Sequence, residues 1–195
     1  MENKFGFVSL SGRTNVGKST LLNAFFQKKI AITSRKPQTT RNRILGILTE
    51  EKSQIVFLDT PGVHLGYKRQ LNKVMNKIAS HCYEEVDLVL FLIDRFKWQK
   101  EEENILKSLK NLNKPVVLVI NKIDRLRDKT KLLAFIKDIS EKFNFLSIVP
   151  ISALKKDNLM ELKSVILNNL EIGPYHFPED LSLIHISEPT RREGI

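Results

Sequence analysis

Gly12-Arg13-Thr14-Asn15-Val16-Gly17-Lys18-Ser19 lies between an apolar run at residues 5–10 and a helix-forming run at residues 19–27. It fits the pattern G-x-x-x-x-G-K-[ST] at every fixed position. A strand, a glycine-bearing loop and a helix in that order can curl backbone N–H groups around phosphates. The glycines let the main chain come close, and the helix N-terminus faces the negative charge. In such a loop Lys18 reaches the β- and γ-phosphates, the Ser19 hydroxyl ligates Mg²⁺, and the nucleotide-binding stretch runs on to Thr20. A glycine turn can match the pattern by chance, but the flanking strand and helix argue against that here. The loop predicts a nucleoside triphosphate site and leaves the base open.

Outward from the loop, strand-like runs alternate with amphipathic helical runs. The strands are expected at 5–10, 44–49, 54–58, 88–93, 116–120 and 147–151, and the helices at 19–27, 69–83, 99–112, 129–143 and 157–170. Continuous apolar runs such as Leu88-Val89-Leu90-Phe91-Leu92-Ile93 suit parallel strands buried on both faces. Only residues 50–53 separate the second and third strands, too few for a crossover helix, so that pair must be an antiparallel hairpin. The predicted fold is α/β and doubly wound: six strands, mostly parallel, one antiparallel edge strand, and helices on both faces. Ligands are then expected at the carboxyl ends of the strands.

Three further motifs follow strand ends. Asp59-Thr60-Pro61-Gly62 places a carboxylate where it can hold Mg²⁺ through water, and the Gly62 N–H where it can sense a γ-phosphate. Asn121-Lys122-Ile123-Asp124 offers a carboxylate, Asp124, that can accept two hydrogen bonds from the N1–H and exocyclic amine of guanine. Adenine has no such donor pair, so this motif selects GTP over ATP. Asn121 would brace the phosphate loop and approach the base, with the Lys122 stem along the ring face. Ser152-Ala153-Leu154 would supply a backbone N–H to the guanine O6. Between the first helix and second strand, Thr39-Thr40-Arg41 offers a threonine, Thr40 in preference to Thr39, that can ligate Mg²⁺ only while GTP is bound.

Taken with residues 32–41, which include Lys36-Pro37-Gln38-Thr39-Thr40-Arg41, and with Val63-His64, these motifs resemble the Era family of bacterial GTPases, within the TrmE–Era–EngA group. The likeness runs over residues 4–180. One departure is Thr14, where the family usually has proline. The resemblance implies a Ras-like P-loop GTPase fold and hydrolysis of GTP to GDP and phosphate with Mg²⁺. It further implies work on 16S ribosomal RNA in assembly of the 30S subunit, peripheral association with the inner membrane, and a monomer. Val63 stands where Ras-like GTPases carry the glutamine that orients the attacking water. The resemblance suggests a K⁺ ion beside the phosphates instead, with Asn15 as a ligand, so that Asn15, Lys18, Thr40 and Gly62 form the expected catalytic set. Two alternatives remain: a nucleotide-binding module without RNA binding, or another TrmE- or EngA-like GTPase.

The expected division is a GTPase domain at 1–172, a linker at 173–180, and a departure from the family at 181–195. Relatives are expected to continue past that linker into a KH domain that reads single-stranded RNA. The stretch Leu181-Ser182-Leu183-Ile184-His185-Ile186 reads instead as the translation of a sequencing adapter. The chain has 195 residues and a formal charge of +10, which favours an anionic polymer or membrane surface equally with plainly solvated lysine faces. One cysteine, Cys82, excludes an internal disulfide framework and reads as a small core filler. No apolar run is long enough to span a bilayer, and the first strand starts too early to leave room for a signal peptide, so a cytoplasmic protein is expected.

Overall fold

The computed structural model describes residues 3–26, 43–59, 86–126, 128 and 130–177. Strand β1 (Lys4–Ser11) leads through the glycine loop into α1 (Lys18–Phe26), followed by the hairpin β2 (Arg43–Glu50) and β3 (Ser53–Asp59). Then come β4 (Leu88–Asp94), α2 (Lys100–Lys110), β5 (Val116–Asn121) and a 3-10 turn (Ile123–Arg125). The described part ends with α3 (Thr130–Ser140), β6 (Ser147–Pro150), α4 (Leu159–Asn168) and β7 (Glu171–Ile172). The sheet order is β2-β3-β1-β4-β5-β6, with β7 added to β1. Pairings β1–β3, β1–β4, β4–β5 and β5–β6 are parallel, whereas β2–β3 is the expected antiparallel pair at the edge.

Strand alternation explains the two-sided core. In β4, Leu88, Leu90 and Leu92 point to one face with α1 and α4, while Val89, Phe91 and Ile93 point to the other with α2 and α3. In β5, Val117 and Val119 join the first layer, and Val116, Leu118 and Ile120 join the second. All seven residues of β4 are buried, as a central parallel strand covered on both faces requires.

The six expected strands are all present, to within a residue at most of their ends. Helix α4 begins at Leu159 rather than 157, because Lys156 and Asn158 sit at φ near 60°, a left-handed conformation that no α-helix contains. The helix expected at 69–83, Cys82 within it, Gln27 and residue 129 lie outside the described residues.

A seventh strand was not expected. Strand β4 pairs with β1 only from Val8 onward, and β7 takes the vacant edge below, opposite Lys4 and Phe5. Beyond it, the segment read as a linker runs back along the β2–β3 hairpin as far as it is described, to Phe177. The Gly173 N–H donates to the Asn3 carbonyl (2.9 Å), and the Tyr175 hydroxyl donates to the Glu50 carbonyl (2.7 Å). The buried Gln54 amide binds both sides of the strap. Its Oε1 accepts the N–H groups of His176 (3.2 Å) and Phe177 (3.0 Å), and its Nε2 donates to the Phe177 carbonyl (2.9 Å) and to Thr49 Oγ1 (3.1 Å). The His176 ring stacks on Phe5 at 4.0 Å. Residues 178–195 lie outside the described residues.

Candidate functional site

The glycine loop turns at the carboxyl end of β1, where three residues hold φ in the left-handed range: Gly12 (144°), Asn15 (62°) and Gly17 (105°). The space around both glycines is also closed. A Cβ on Gly12 would collide with the Leu92 carbonyl of β4, and one on Gly17 with Asn121 Nδ2. Both the turn and the close approach therefore require glycine here. The Gly17 carbonyl accepts the Leu21 N–H at 2.9 Å and starts α1, so the helix N-terminus opens onto the loop. Lys18 Nζ folds back onto the Gly12 and Arg13 carbonyls, at 2.7 Å each. Thr14 and Asn15 are exposed at the tip, and Ser19 and Thr20 are exposed in the first helical turn.

Two loop carbonyls are held from outside by the motif at the end of β5. Asn121 Nδ2 donates to the Val16 carbonyl at 2.8 Å, and Lys122 Nζ donates to the Asn15 carbonyl at 2.6 Å. In a planar trans peptide the C=O and the following N–H point in opposite directions. Fixing these carbonyls toward β5 therefore turns the N–H groups of Val16 and Gly17 the other way. Oriented N–H groups at a helix N-terminus are what an anion needs.

The residues expected to select the base converge at the same edge. Asp124 is exposed on the 3-10 turn, with Oδ1 accepting the Ser152 hydroxyl at 2.6 Å. Ser152 is wholly buried, and its Oγ in turn accepts the Lys155 N–H (3.1 Å), closing the turn after β6. Asn121 Oδ1 accepts the N–H groups of Lys122 (2.7 Å) and Ala153 (3.0 Å). The Ala153 N–H, expected to face a guanine O6, is thus engaged by Asn121, and an incoming base oxygen would compete for it. Leu154 is exposed beside it, 65% accessible.

The structure brings together the loop residues, Asn121, Lys122, Asp124 and Ser152–Leu154. Thr40, Thr60, Pro61, Gly62, Val63 and His64 lie outside the described residues. Asp59 closes β3 opposite Leu10 of β1, and its backbone therefore ends beside the loop.

Sequence reasoning missed two carboxylates. Asp94, 8% exposed at the end of β4, accepts Lys122 Nζ through Oδ2 (3.0 Å) and Arg95 Nε through Oδ1 (2.9 Å). Burial alone would raise its pKa, but the bonds and charges of Lys122 and Arg95 outweigh that and hold the carboxyl below its ordinary range. Glu102, wholly buried at the start of α2, pairs through Oε1 with Arg13 Nε. Its Oε2 accepts the Gln99 N–H at 2.9 Å, while Gln99 Oε1 accepts Arg13 at 3.0 Å. Both were legible in part: Asp94 ends an apolar strand, and Glu102 shares a helical face with Ile105, Leu106 and Leu109.

Comparison with known proteins points to one family. The family model described as 50S ribosome-binding GTPase matches residues 7–122. GTPase Era of Haemophilus influenzae (strain PittGG) is 50% identical over 175 residues, covering 90% of this chain and 58% of that protein. The chain thus spans less than two thirds of the curated relatives it matches. A crystal structure of Era in complex with MgGDPNP and nucleotides 1506–1542 of 16S ribosomal RNA superposes with a TM-score of 0.78 at 44% identity, covering 92% of this chain and 61% of that one. A variant of Aquifex aeolicus Era bound to GDP·AlF4⁻ gives 0.77 at 43% identity, covering 94% and 62%. With a glycine loop locked to a guanine-type motif by Asn121 and Lys122, and a family model spanning most of the chain, this protein belongs to the 50S ribosome-binding GTPase family.

Proposed function

We propose that this chain binds GTP and hydrolyses it to GDP and phosphate, as a Mg²⁺-dependent switch of the Era type. The observation that carries the reading is the lock between Asn121 and Val16, which ties a guanine-selecting carboxylate, Asp124, to a loop with its N–H groups turned outward. Hydroxyl and carboxylate oxygens from Ser19, Thr40 and Asp59 would supply hard oxygen donors of the kind Mg²⁺ takes. When bound, that ion would neutralise phosphate charge, with Lys18 beside it. K⁺ near Asn15 would add a second cation in place of a glutamine or arginine finger. Its support is the valine at position 63 together with the exposed, left-handed Asn15 at the loop tip.

The wider role we infer is assembly of the 30S subunit through 16S ribosomal RNA, in the cytoplasm and peripherally at the inner membrane, as a monomer. It is supported by the Era relative solved with a 16S fragment and by the formal charge of +10. Among the described residues no helix is long and apolar enough to cross a membrane.

The deciding experiment is nucleotide binding by Asp124→Asn. A loss of GTP affinity of at least about a hundredfold, with a gain for xanthosine triphosphate, is expected, since a site built to hydrogen-bond one base rejects a base lacking the matching groups. Unchanged GTP binding would overturn the assignment. Hydrolysis should also run faster in K⁺ than in Na⁺, and Asn15→Ala should erase that difference. Equal rates in both salts for the unmutated chain would remove K⁺ from the scheme.

A further inference from the structure

Two buried carboxylates outside the nucleotide motifs bear on the phosphate loop, each through a basic residue. Asp94 ends β4, and Glu102 lies eight residues further on, in the first turn of α2. Asp94 does not touch the loop. It holds Lys122 Nζ, which spends a second proton on the Asn15 carbonyl. Glu102 acts on the other flank. Its Oε1 and the Gln99 amide oxygen together grip the Arg13 guanidinium, and the Arg13 carbonyl is one of the two that Lys18 binds. Residues 13 and 15 bracket the outer turn of the loop, so these two links fix it at both ends.

We infer that Asp94 and Glu102 are positioning residues that clamp the phosphate loop, Asp94 through Lys122 on Asn15 and Glu102 through Arg13. The physical need is specific. N–H groups turned to one side carry like partial charges that repel one another, so the loop keeps its shape where its carbonyls are held. A lysine ammonium alone is a flexible point charge on a four-carbon stem. Pairing it with a carboxylate that is 8% exposed fixes where that charge sits. Asp94 itself is pinned from the other side by Arg95, whose φ of 52° turns its N–H onto the Asn121 carbonyl at 3.0 Å. The Arg13 link combines one hydrogen bond, from Nη1 to the Gln99 amide oxygen, with one ion pair, to Glu102, so two groups at the start of α2 hold one guanidinium. The clamp also couples the base motif to α2, since both grip the one loop at residues 12–17.

This inference rests on the guanine-nucleotide reading, and the test separates the two. Release of a fluorescent GDP analogue in Mg²⁺ is followed for the purified chain and its variants, with thermal melting in parallel. Asp94→Asn and Glu102→Gln should each speed release on the order of tenfold, the scale of one lost charged contact. Asp94→Glu should restore the rate to within about threefold. In a Lys122→Met background Asp94→Asn should have no further effect, and likewise Glu102→Gln in an Arg13→Gln background. If Glu102→Gln does not fold, Arg13→Gln alone removes the same link from its more exposed end. Release rates unchanged in the single variants, or effects that persist undiminished without the partner residue, would overturn the clamp. An unmutated chain that binds no guanine nucleotide would sink the nucleotide reading and the clamp with it.

Discussion

Asn121 and Gln54 are two buried amides at opposite ends of one sheet, and both tie a remote segment to it. Asn121 is 2% exposed and holds the phosphate loop 105 residues away, whereas Gln54 is 0% exposed and holds the strap at 176–177. The difference lies in saturation. An amide has two N–H donors and an oxygen with two lone pairs. Gln54 uses all four on the protein: Thr49, His176 and both backbone groups of Phe177. Asn121 fills its oxygen with two N–H groups but gives only one donor to Val16, and among the described residues no protein acceptor takes the second. A saturated amide can only stabilise, while one with a donor left over can also meet a ligand.

The sharpest way to break that contrast is to truncate both. Gln54→Ala should cost about 3 kcal/mol of stability, because it strands buried backbone groups of the strap. For a domain of this size that lowers Tm by roughly 6–12 °C. Nucleotide affinity should stay within about twofold of the parent value, since no bond of Gln54 reaches the loop. Asn121→Ala should cost less stability, about 2 kcal/mol, but lower guanine-nucleotide affinity by about thirtyfold as the Val16 carbonyl is released. Thermal melts without nucleotide and titrations with it measure both quantities. If both variants lose stability alike and neither loses affinity, Asn121 is only a core staple, and the distinction fails.

The contrast also explains what the sequence could reveal. Asn121 was legible because it stands in a motif whose spacing carries chemistry of its own. Gln54 stands in Ser53-Gln54-Ile55-Val56, an ordinary strand with one polar residue. A polar residue there demands a partner if buried, but its partners lie 122 and 123 residues away, and no local pattern names them. For the same reason residues 173–177 read as a linker: Gly173 and Pro174 signal a turn, and nothing nearby tells that the turn returns to β3. The strands and the hairpin were readable because they follow from run lengths and alternation, which are local. The clamp carboxylates fall between these cases. Glu102 sits on the apolar stripe of its own helix, which signals burial, but its tie to Arg13 belongs to tertiary structure alone.

The smallest expected effect separates the two ends by pH. No titratable side chain takes part in the four bonds of Gln54, so the penalty of Gln54→Ala should be the same at pH 4 and pH 7. Near Asn121 the network passes through Asp94, which faces Lys122 and Arg95 and, at 3.8 Å, Lys97. Its carboxyl is held below the ordinary value of about 3.9, so it binds a proton less readily folded than unfolded. Its stabilising contribution is therefore complete above that ordinary value and is lost as pH falls through the lower, folded one. The stability gap between the parent chain and Asp94→Asn should accordingly close as the pH drops below about 4, while the Gln54→Ala gap stays open. Denaturant melts at a series of pH values measure both gaps. A gap for Asp94→Asn that stays constant through acid would mean that its ion pairs add nothing beyond shape, leaving the two ends of the sheet held by the same uncharged bonds.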